Sequence, residues 1–546
     1  MAGGLMTLIS EGPENIILNG NPKKTFFKAT YNKYTNFGMQ KFRLDYQGQR
    51  RLHYDEPTEF IFKVPRYADL IFDTYVVINL PHIWSPLFWN EDVSGNWAEL
   101  GFRWIDNLGA EMIEEIQVYS GGSVLAQYPG EWLYAMVQRD FNDAKKEQWN
   151  KMIGHVPELN DPANANGRIN SYPNSVNDGS CNQLEPSIRG RQLYIPLDSW
   201  FCAESKTALP LVSLQYQPVN IKIVFRSIAD IFRIRDVNDP SGNFPYISPK
   251  LSAGLNNIYR FLCPPNVQFA AGGAVVDASQ NIYPNTRQDW DADIHLIANY
   301  VFLSHNERRL LAATDQSFLI KETHTHDFLN VTGSSTAEIQ NGRNMAASMM
   351  WRFRRSDGNL RNEWTNYSNW PYTNILPVQP SNPPPGGVGG GLVVPANIAY
   401  YNCLQSQNIK DILVDMAILM DGKYREDVFP AGLWTWVEKY IRTTGNAKDG
   451  LYCYNFCLNS NQREYQPSGA MNLNKYKKIH LEFNTIQPPL NPNSNFDVIC
   501  DPSGAIIGVR KQIWQQNDYN FDLRVFEERY NVLIISGGHV GLMYAR

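Results

Sequence analysis

The sequence predicts an all-β protein of two tandem antiparallel β-sandwiches. Three observations carry this. Period-2 alternation of apolar and polar residues recurs along the chain, Pro, Gly and Asn turns separate the alternating runs, and helical spacing is confined to a few places. At 546 residues the chain is too long for one ordinary hydrophobic core, so two domains follow from size alone.

The alternating runs come in order. In TEFIFKVPRY, Phe60, Phe62 and Val64 share a face opposite Glu59, Ile61 and Lys63. VNIKIVF sets Val219, Ile221, Ile223 and Phe225 against Asn220 and Lys222, and IHLIANYVFL repeats the habit. In KIHLEF, Ile479, Leu481 and Phe483 oppose Lys478, His480 and Glu482. Half-buried strands of this kind belong to antiparallel sheets with one face on a core. About eight such strands per half would close a sandwich or barrel. Helix-like spacing appears in WLYAMVQRDFNDAKKEQWNKMI (132–153) and in NERRLLAATDQSFLI (306–320), where Leu310, Leu311 and Phe318 recur.

Loop-rich sequence marks 157–190, 236–290 and 356–402, the last with the run PVQPSNPPPGGVGGG. The middle one, containing NDPSGNFPYISPK, is the expected domain junction. The expected division is an arm over 1–25, a first domain over 26–235, a connection over 236–290 and a second domain over 291–546.

Composition narrows the function. Charged residues are 19% and aromatics 13% of the chain, a balance expected of a chain that hides much of its surface against partners or covers it with Asn, Gln, Ser and Thr. Forty-nine basic against 54 acidic residues, net −5, give no whole-chain electrostatic case for nucleic-acid binding. The seven cysteines are odd in number, and Cys453 and Cys457 have no second pair at zinc-ligand spacing. They are expected as reduced thiols of a cytosolic product. MAGGLMTLISEG has no secretory pattern, Ala2 breaks the myristoylation pattern, and no apolar run is long enough for a spanning helix.

His324 and His326 in HTH share one side of an extended segment, with Glu322 and Asp327 nearby, but lack a fixed third ligand. GGVGGG (386–391) lacks the Lys-Ser/Thr of a phosphate loop, and SGGHVGL lacks dinucleotide spacing. The pairs Glu114–Glu115 and Glu527–Glu528 point to opposite faces of a strand, so neither makes a facing glycosidase pair; one exposed and one ion-paired carboxylate is expected. RFRR (352–355) beside Trp351, and ERRLL (307–311), fit arginine-rich subunit seams better than nucleic-acid stacking. Asn330 and Asn366 begin glycosylation sequons. Ser468 in EYQPSGAMNLNKY lies on a turn with no base to activate it. No catalytic, cofactor-binding or metal residue is assigned, and no enzyme activity is expected.

Five segments carry a resemblance. The opening GGLMTLISEGPENIILNGNPKKTFFKATYNKYTNF, LYIPLDSWFCAESKTALPLVSLQY (193–216), ERRLLA (307–312), EYQPSGAMNLNKY and YNVLIISGGHVGLMY run end to end. They resemble, in order, the blocks of the double jelly-roll major capsid proteins of nucleocytoplasmic large DNA viruses. The resemblance implies two eight-stranded jelly rolls with a few short helices in loops, and no catalysis or cofactor. It implies a homotrimeric, pseudo-hexagonal capsomer that meets neighbouring capsomers, minor capsid and penton proteins in an icosahedral outer shell. The arm would face inward, towards minor proteins and an internal viral membrane. Synthesis in the host cytoplasm and no sequence-specific nucleic-acid contact are also expected. The alternatives are a minor capsid or scaffolding double jelly-roll protein, and a carbohydrate-binding jelly roll.

Overall fold

In the computed structural model, residues 2–544 are described apart from 47, 49–50, 91–95, 174, 176–184, 238–244, 251–252, 265–282, 284, 340–344, 371–408, 447, 462–463, 465, 489–495, 501–505 and 512–518. The first half contributes the strands β1 (Phe37–Asp45), β2 (Thr58–Lys63), β3 (Leu70–Asn79), β4 (Ile113–Ser120), β5 (Ser123–Pro129), β6 (Gln192–Pro196), β7 (Val219–Phe225) and β8 (His295–Leu303). The second contributes β9 (Gln316–Val331), β10 (Ser334–Ile339), β11 (Met345–Arg355), β12 (Leu413–Met420), β13 (Lys423–Pro430), β14 (Leu451–Asn455), β15 (Ile479–Thr485) and β16 (Phe521–Ser536). Shorter strands decorate both.

The two halves are wound alike. The first pairs its strands as β1-β8-β3-β6 and β2-β7-β4-β5; the second as β9-β16-β11-β14 and β10-β15-β12-β13. Adding eight to each strand of the first half reproduces the second. Every pairing is antiparallel, and each half is a jelly roll of two facing sheets.

The alternating runs become strands because their apolar face meets a core. Phe60 and Phe62 of β2, and Val219, Ile221, Ile223 and Phe225 of β7, are buried, while Lys222 reaches across to Glu59 at 2.7 Å. In β15, Ile479, Leu481 and Phe483 enter the second core with Trp351, Phe353 and Trp434. Two-residue hairpin loops join β4 to β5 and β12 to β13 at the same station of the repeat. Gly121-Gly122 (φ 55° and 88°) and Asp421-Gly422 (φ 49° and 77°) adopt the left-handed backbone that such turns require.

Four expectations are corrected. The boundary at 291 moves: β8 lies between β1 and β3, with Phe37 opposite Leu303 and His295 opposite Val77, so 295–303 closes the first jelly roll. The connection 236–290 contributes Ile258 and Phe261 to the first core, because its apolar residues find that core nearest. The helix expected over 132–153 is two, α1 (Gly130–Asp140) and α2 (Asp143–Ile153), since Asn142 accepts a bond from the Lys145 amide and starts a new helix. The pattern at 306–320 also splits: the helix α3 (His305–Ala313) stops, and Phe318 lies in β9.

The expected loop at 356–402 is packed where it is described. Asp357, Arg361, Glu363 and Asn369 are buried, with Arg355 and Arg361 both binding the Asp357 carboxylate. Polar side chains that satisfy one another can be buried without an apolar pattern. The GGVGGG run lies outside the described residues.

Residues 3–9 and 16–19 near the N-terminus are helical but bury none of their side chains, and Phe26 and Phe27 are fully exposed.

Candidate functional site: the seam between the jelly rolls and the surface left open

After β5 the chain turns at Pro129 into α1. A Cβ on Gly130 would sit 2.1 Å from the Ala110 carbonyl oxygen, so only glycine lets the helix start this close to the sheet. The tight start aims α1 at the second jelly roll. Trp132, fully buried, packs its ring 5.6 Å from that of Phe526 on β16. The core of the first half thereby continues into Met350, Phe526 and Leu533 of the second.

Two buried ion clusters hold this seam. Glu131 accepts bonds from Arg352 Nε at 2.5 Å and Nη2 at 3.0 Å, from Arg524 Nη1 at 2.8 Å and from the Tyr367 hydroxyl at 3.0 Å. Burial pushes its carboxyl up, but Arg352 and Arg524 outweigh burial and hold it well below the usual carboxylate range. Arg139 is completely buried and donates to Glu528 at 2.6 and 3.2 Å, to Asp140 at 2.8 Å twice, and to Ser348 and the Ser460 carbonyl. Ser348 also donates to Glu528. Glu111 stands apart: burial, reinforced by the Glu131 carboxylate, pushes it up to about 7. Such clusters fix one mutual placement of the halves, because each charge left alone would be costly.

Beside the seam, a cleft of about 690 Å³ is lined by Asp106, His155 and Arg233 from one half and Glu363, Thr365 and Lys448 from the other. Its charges largely satisfy one another. Arg233 donates to Asp106 at 3.4 Å, Asn160 to Asp106 at 3.1 Å, and Lys448 to the Thr365 carbonyl at 2.6 Å.

The residues singled out in the sequence fall as follows. RFRR lies at a seam, but within one chain: Arg352 pairs with Glu131, Arg354 stacks over Trp364 at 5.1 Å, and Arg355 pairs with Asp357. In ERRLL, Arg308 reaches Asp69 at 2.7 Å. Glu527 and Glu528 do face opposite ways, yet both are buried and ion-paired, Glu527 with Arg529 and Glu528 with Arg139. Of the pair Glu114–Glu115, Glu114 is exposed while Glu115 accepts from Gln117 and Gln127.

His324 lies 3.4 Å from Glu322 and His326 3.3 Å from Glu527. Among the described residues no group of three or more His, Cys, Asp or Glu is arranged to hold a metal. Cys453 and Cys457 are buried free thiols, and burial raises the Cys453 thiol to about 12. Ser468 spends its hydroxyl on Asn459, donating to the carbonyl at 2.9 Å and accepting from the amide at 3.0 Å. SGGHVGL is the hairpin after β16, turning at Gly537-Gly538. Asn330 is exposed at a bulge in β9. Asn366 is buried, and the nitrogen that a glycan would occupy donates to Glu363 and to the Trp370 carbonyl.

Sequence reasoning passed over Glu131 and Arg139. Their signal was the charges Glu131, Arg139 and Asp140 in the otherwise largely apolar run GEWLYAMVQRD.

At the equivalent station of the second half the surface is open. Beyond β13 and Pro430, a π-helical turn (Leu433–Val437) runs into α4 (Glu438–Arg442). Trp434 fills the second core, but Trp436, Val437, Tyr440 and Ile441 are exposed. The edge strand β13 is itself largely exposed, with Tyr424 and Val428 bare.

Fold and seam together define a double jelly-roll protein. A family model described as the major capsid protein N-terminus matches residues 25–253. The major capsid protein of Phaeocystis pouchetii virus is 26% identical over 384 residues, which cover 70% of this chain and 64% of that relative. The chain thus spans less than two thirds of the length of that relative. The major capsid protein of Paramecium bursaria Chlorella virus 1 is 22% identical over 557 residues, covering 100% of both. Among solved structures, the PBCV-1 virus capsid aligns with a TM-score of 0.58 at 16% identity, covering 96% of this chain and 100% of that one. The Faustovirus major capsid protein aligns with a TM-score of 0.57 at 11% identity, covering 98% and 96%. At such identities the structural likeness establishes the fold. The sequence relatives agree with it: the chain is similar to the major capsid proteins of large DNA viruses.

Proposed function

We propose that the chain is the major structural subunit of an icosahedral virion shell, and not an enzyme. The observation that carries this reading is the jelly roll wound twice in the same strand order, in a chain related along its whole length to a major capsid protein. Three copies would form a six-lobed capsomer, since two like lobes per chain suit closed cyclic symmetry. Capsomers would then tile the shell, with minor capsid and penton proteins at the gaps. The division at work is an N-terminal arm, a first jelly roll through β8 and a second from β9 onward.

The bare apolar side chains of the first 37 residues, among them Ile17, Leu18, Phe26 and Phe27, support an arm that meets inner-shell proteins or the internal membrane. Among the described residues no helix is long and apolar enough to cross a membrane, so contact there would be peripheral. The protein would be made in the host cytoplasm, and the net charge of −5 argues against a sequence-specific role on nucleic acid. Asn330, exposed, is the glycosylation candidate that remains accessible.

Native mass spectrometry of the purified chain, with gel densitometry of purified particles, tests the reading. A three-chain mass and a dominant virion band are expected. A stable monomer would refute the capsomer, and a trace band would make this a minor or scaffolding component.

A further inference from the structure

We propose that Lys423, Lys475, Lys477 and Lys478, gathered at one end of the second jelly roll, form a docking site for an anionic lipid surface. The site is separate from the N-terminal arm. It deepens the reading of the inward end given above and rests on it.

One turn brings the lysines together. Met420 pairs with both Ile479 and Lys423, so the Asp421-Gly422 hairpin lies beside the start of β15. There the Asp421 carboxylate accepts from the Lys477 and Lys478 amides at 2.8 and 2.9 Å, and the Asp421 amide donates to the Lys478 carbonyl at 2.9 Å. The carboxylate is engaged by backbone, which leaves the lysine side chains to solvent. All four are exposed, and none forms an ion pair among the described residues. On the neighbouring strand β10, Glu338 stands by His480 at 3.7 Å.

Four ammonium groups at one corner repel one another, and the fold does not ask for them. The first jelly roll has the same corner, where the Gly121-Gly122 turn meets Gln217, and residues 215–218 (QYQP) leading into β7 are uncharged. Like charges held together without a counter-charge on the protein fit a surface completed by an anionic partner.

The place of the corner in the fold points to lipid. Phe37 at the start of β1 pairs with Leu303 at the end of β8. After α3, β9 begins with Gln316 opposite Ile535 and bonded to Ser213 of the first half. Met345 of β11 pairs with both Tyr530 and Asn472, just before Lys475. The arm and the lysine corner therefore leave the two jelly rolls at the same end. The arm sets Lys23, Lys24, Lys28 and Lys33 against Glu11 and Glu14, and it bares Phe26 and Phe27. Apolar side chains interleaved with lysines suit the boundary between headgroups and acyl chains. All four cations of the corner are lysine, a compact charge on a flexible stem that suits mobile headgroups better than the fixed geometry arginine reads. Because the whole chain is net −5, a basic end also orients it on an anionic surface.

The test is sedimentation of the full-length chain with vesicles of phosphatidylcholine, alone or mixed with phosphatidylserine. Wild type should prefer the mixed vesicles and be released as salt screens the contact. K423Q/K475Q/K477Q/K478Q should bind them at least tenfold more weakly, since each lysine near an anionic surface contributes about a fivefold factor. K423R/K475R/K477R/K478R should keep the binding. Both variants should melt with wild type, because all four side chains are exposed. F26S/F27S blunts the arm and should weaken binding while keeping the preference for phosphatidylserine. A glutamine variant with the wild-type preference overturns the site, and so does loss of the preference in F26S/F27S, which would assign it to the arm. Wild type that binds duplex DNA but neither vesicle also overturns it. Native mass spectrometry separates the two readings: three chains without vesicle binding overturns the lysine site alone, and a vesicle-binding monomer overturns only the capsomer.

Discussion

Two helices at the same station of the repeat have opposite surroundings. α1 follows β5 and is sealed between the jelly rolls; the helix after β13 has the same entry and faces solvent. Their sequences differ accordingly. The sealed one carries Glu131 and Arg139 as buried, fully partnered charges, whereas the open one turns Trp434 and Lys439 inward and leaves Trp436, Val437, Tyr440 and Ile441 bare. A permanent intrachain seam can hold buried ions because folding assembles all partners together.

The comparison is broken most severely at Arg139. Replacing it with Met strands Asp140 and Glu528, and a cost of about 3–5 kcal/mol is expected, read as a lower urea midpoint. Trp132→Ala empties the apolar centre of the seam, and a similar loss of about 3–5 kcal/mol is expected by the same measurement. A loss below about 1 kcal/mol in both variants would mean that the seam is not a main source of stability.

Glu111 sharpens the contrast through pH. Its folded-state pKa of about 7 lies above the ordinary value near 4.3. Its contribution is therefore full below about pH 4.3 and is lost as pH rises through 7. Glu111→Gln removes this term, so the variant should gain on wild type in melting temperature between pH 5 and 8. Parallel profiles would refute the assignment.

The smallest effect is expected on the open side. Trp436→Ala should change the stability of the isolated chain by no more than about 0.5 kcal/mol, because its ring has little packing to lose there. A loss comparable to that of Trp132→Ala would mean that the helix is packed within its own chain after all.

How much of this was legible in the sequence follows the range of the interactions. β2, β7, β8 and β15 could be read because alternation is local, and each residue's partner face is set by its parity. The seam could not be read, since Glu131 and Arg352 lie 221 residues apart and Arg139 and Glu528 lie 389 apart. RFRR suggested a seam but not whose. The packed segment from Asp357 to Asn369 was invisible for another reason: its polar residues are buried by satisfying each other, and composition alone reads such a stretch as loop. Asn366 was misleading in the same way, since a sequon says nothing of burial.

One pairing has a consequence for how the protein comes into being. β1 is joined by β8, and Arg43 reaches Asp293 across 250 residues of chain. On a ribosome working at about 5–20 residues per second, β1 waits roughly 10–50 s for its neighbour. Throughout that interval Phe37 and Met39 sit on an unpaired edge, and the second jelly roll has not begun to emerge. Newly made chains crowded at the site of synthesis are therefore most exposed to mispairing through the very strand that arrives first.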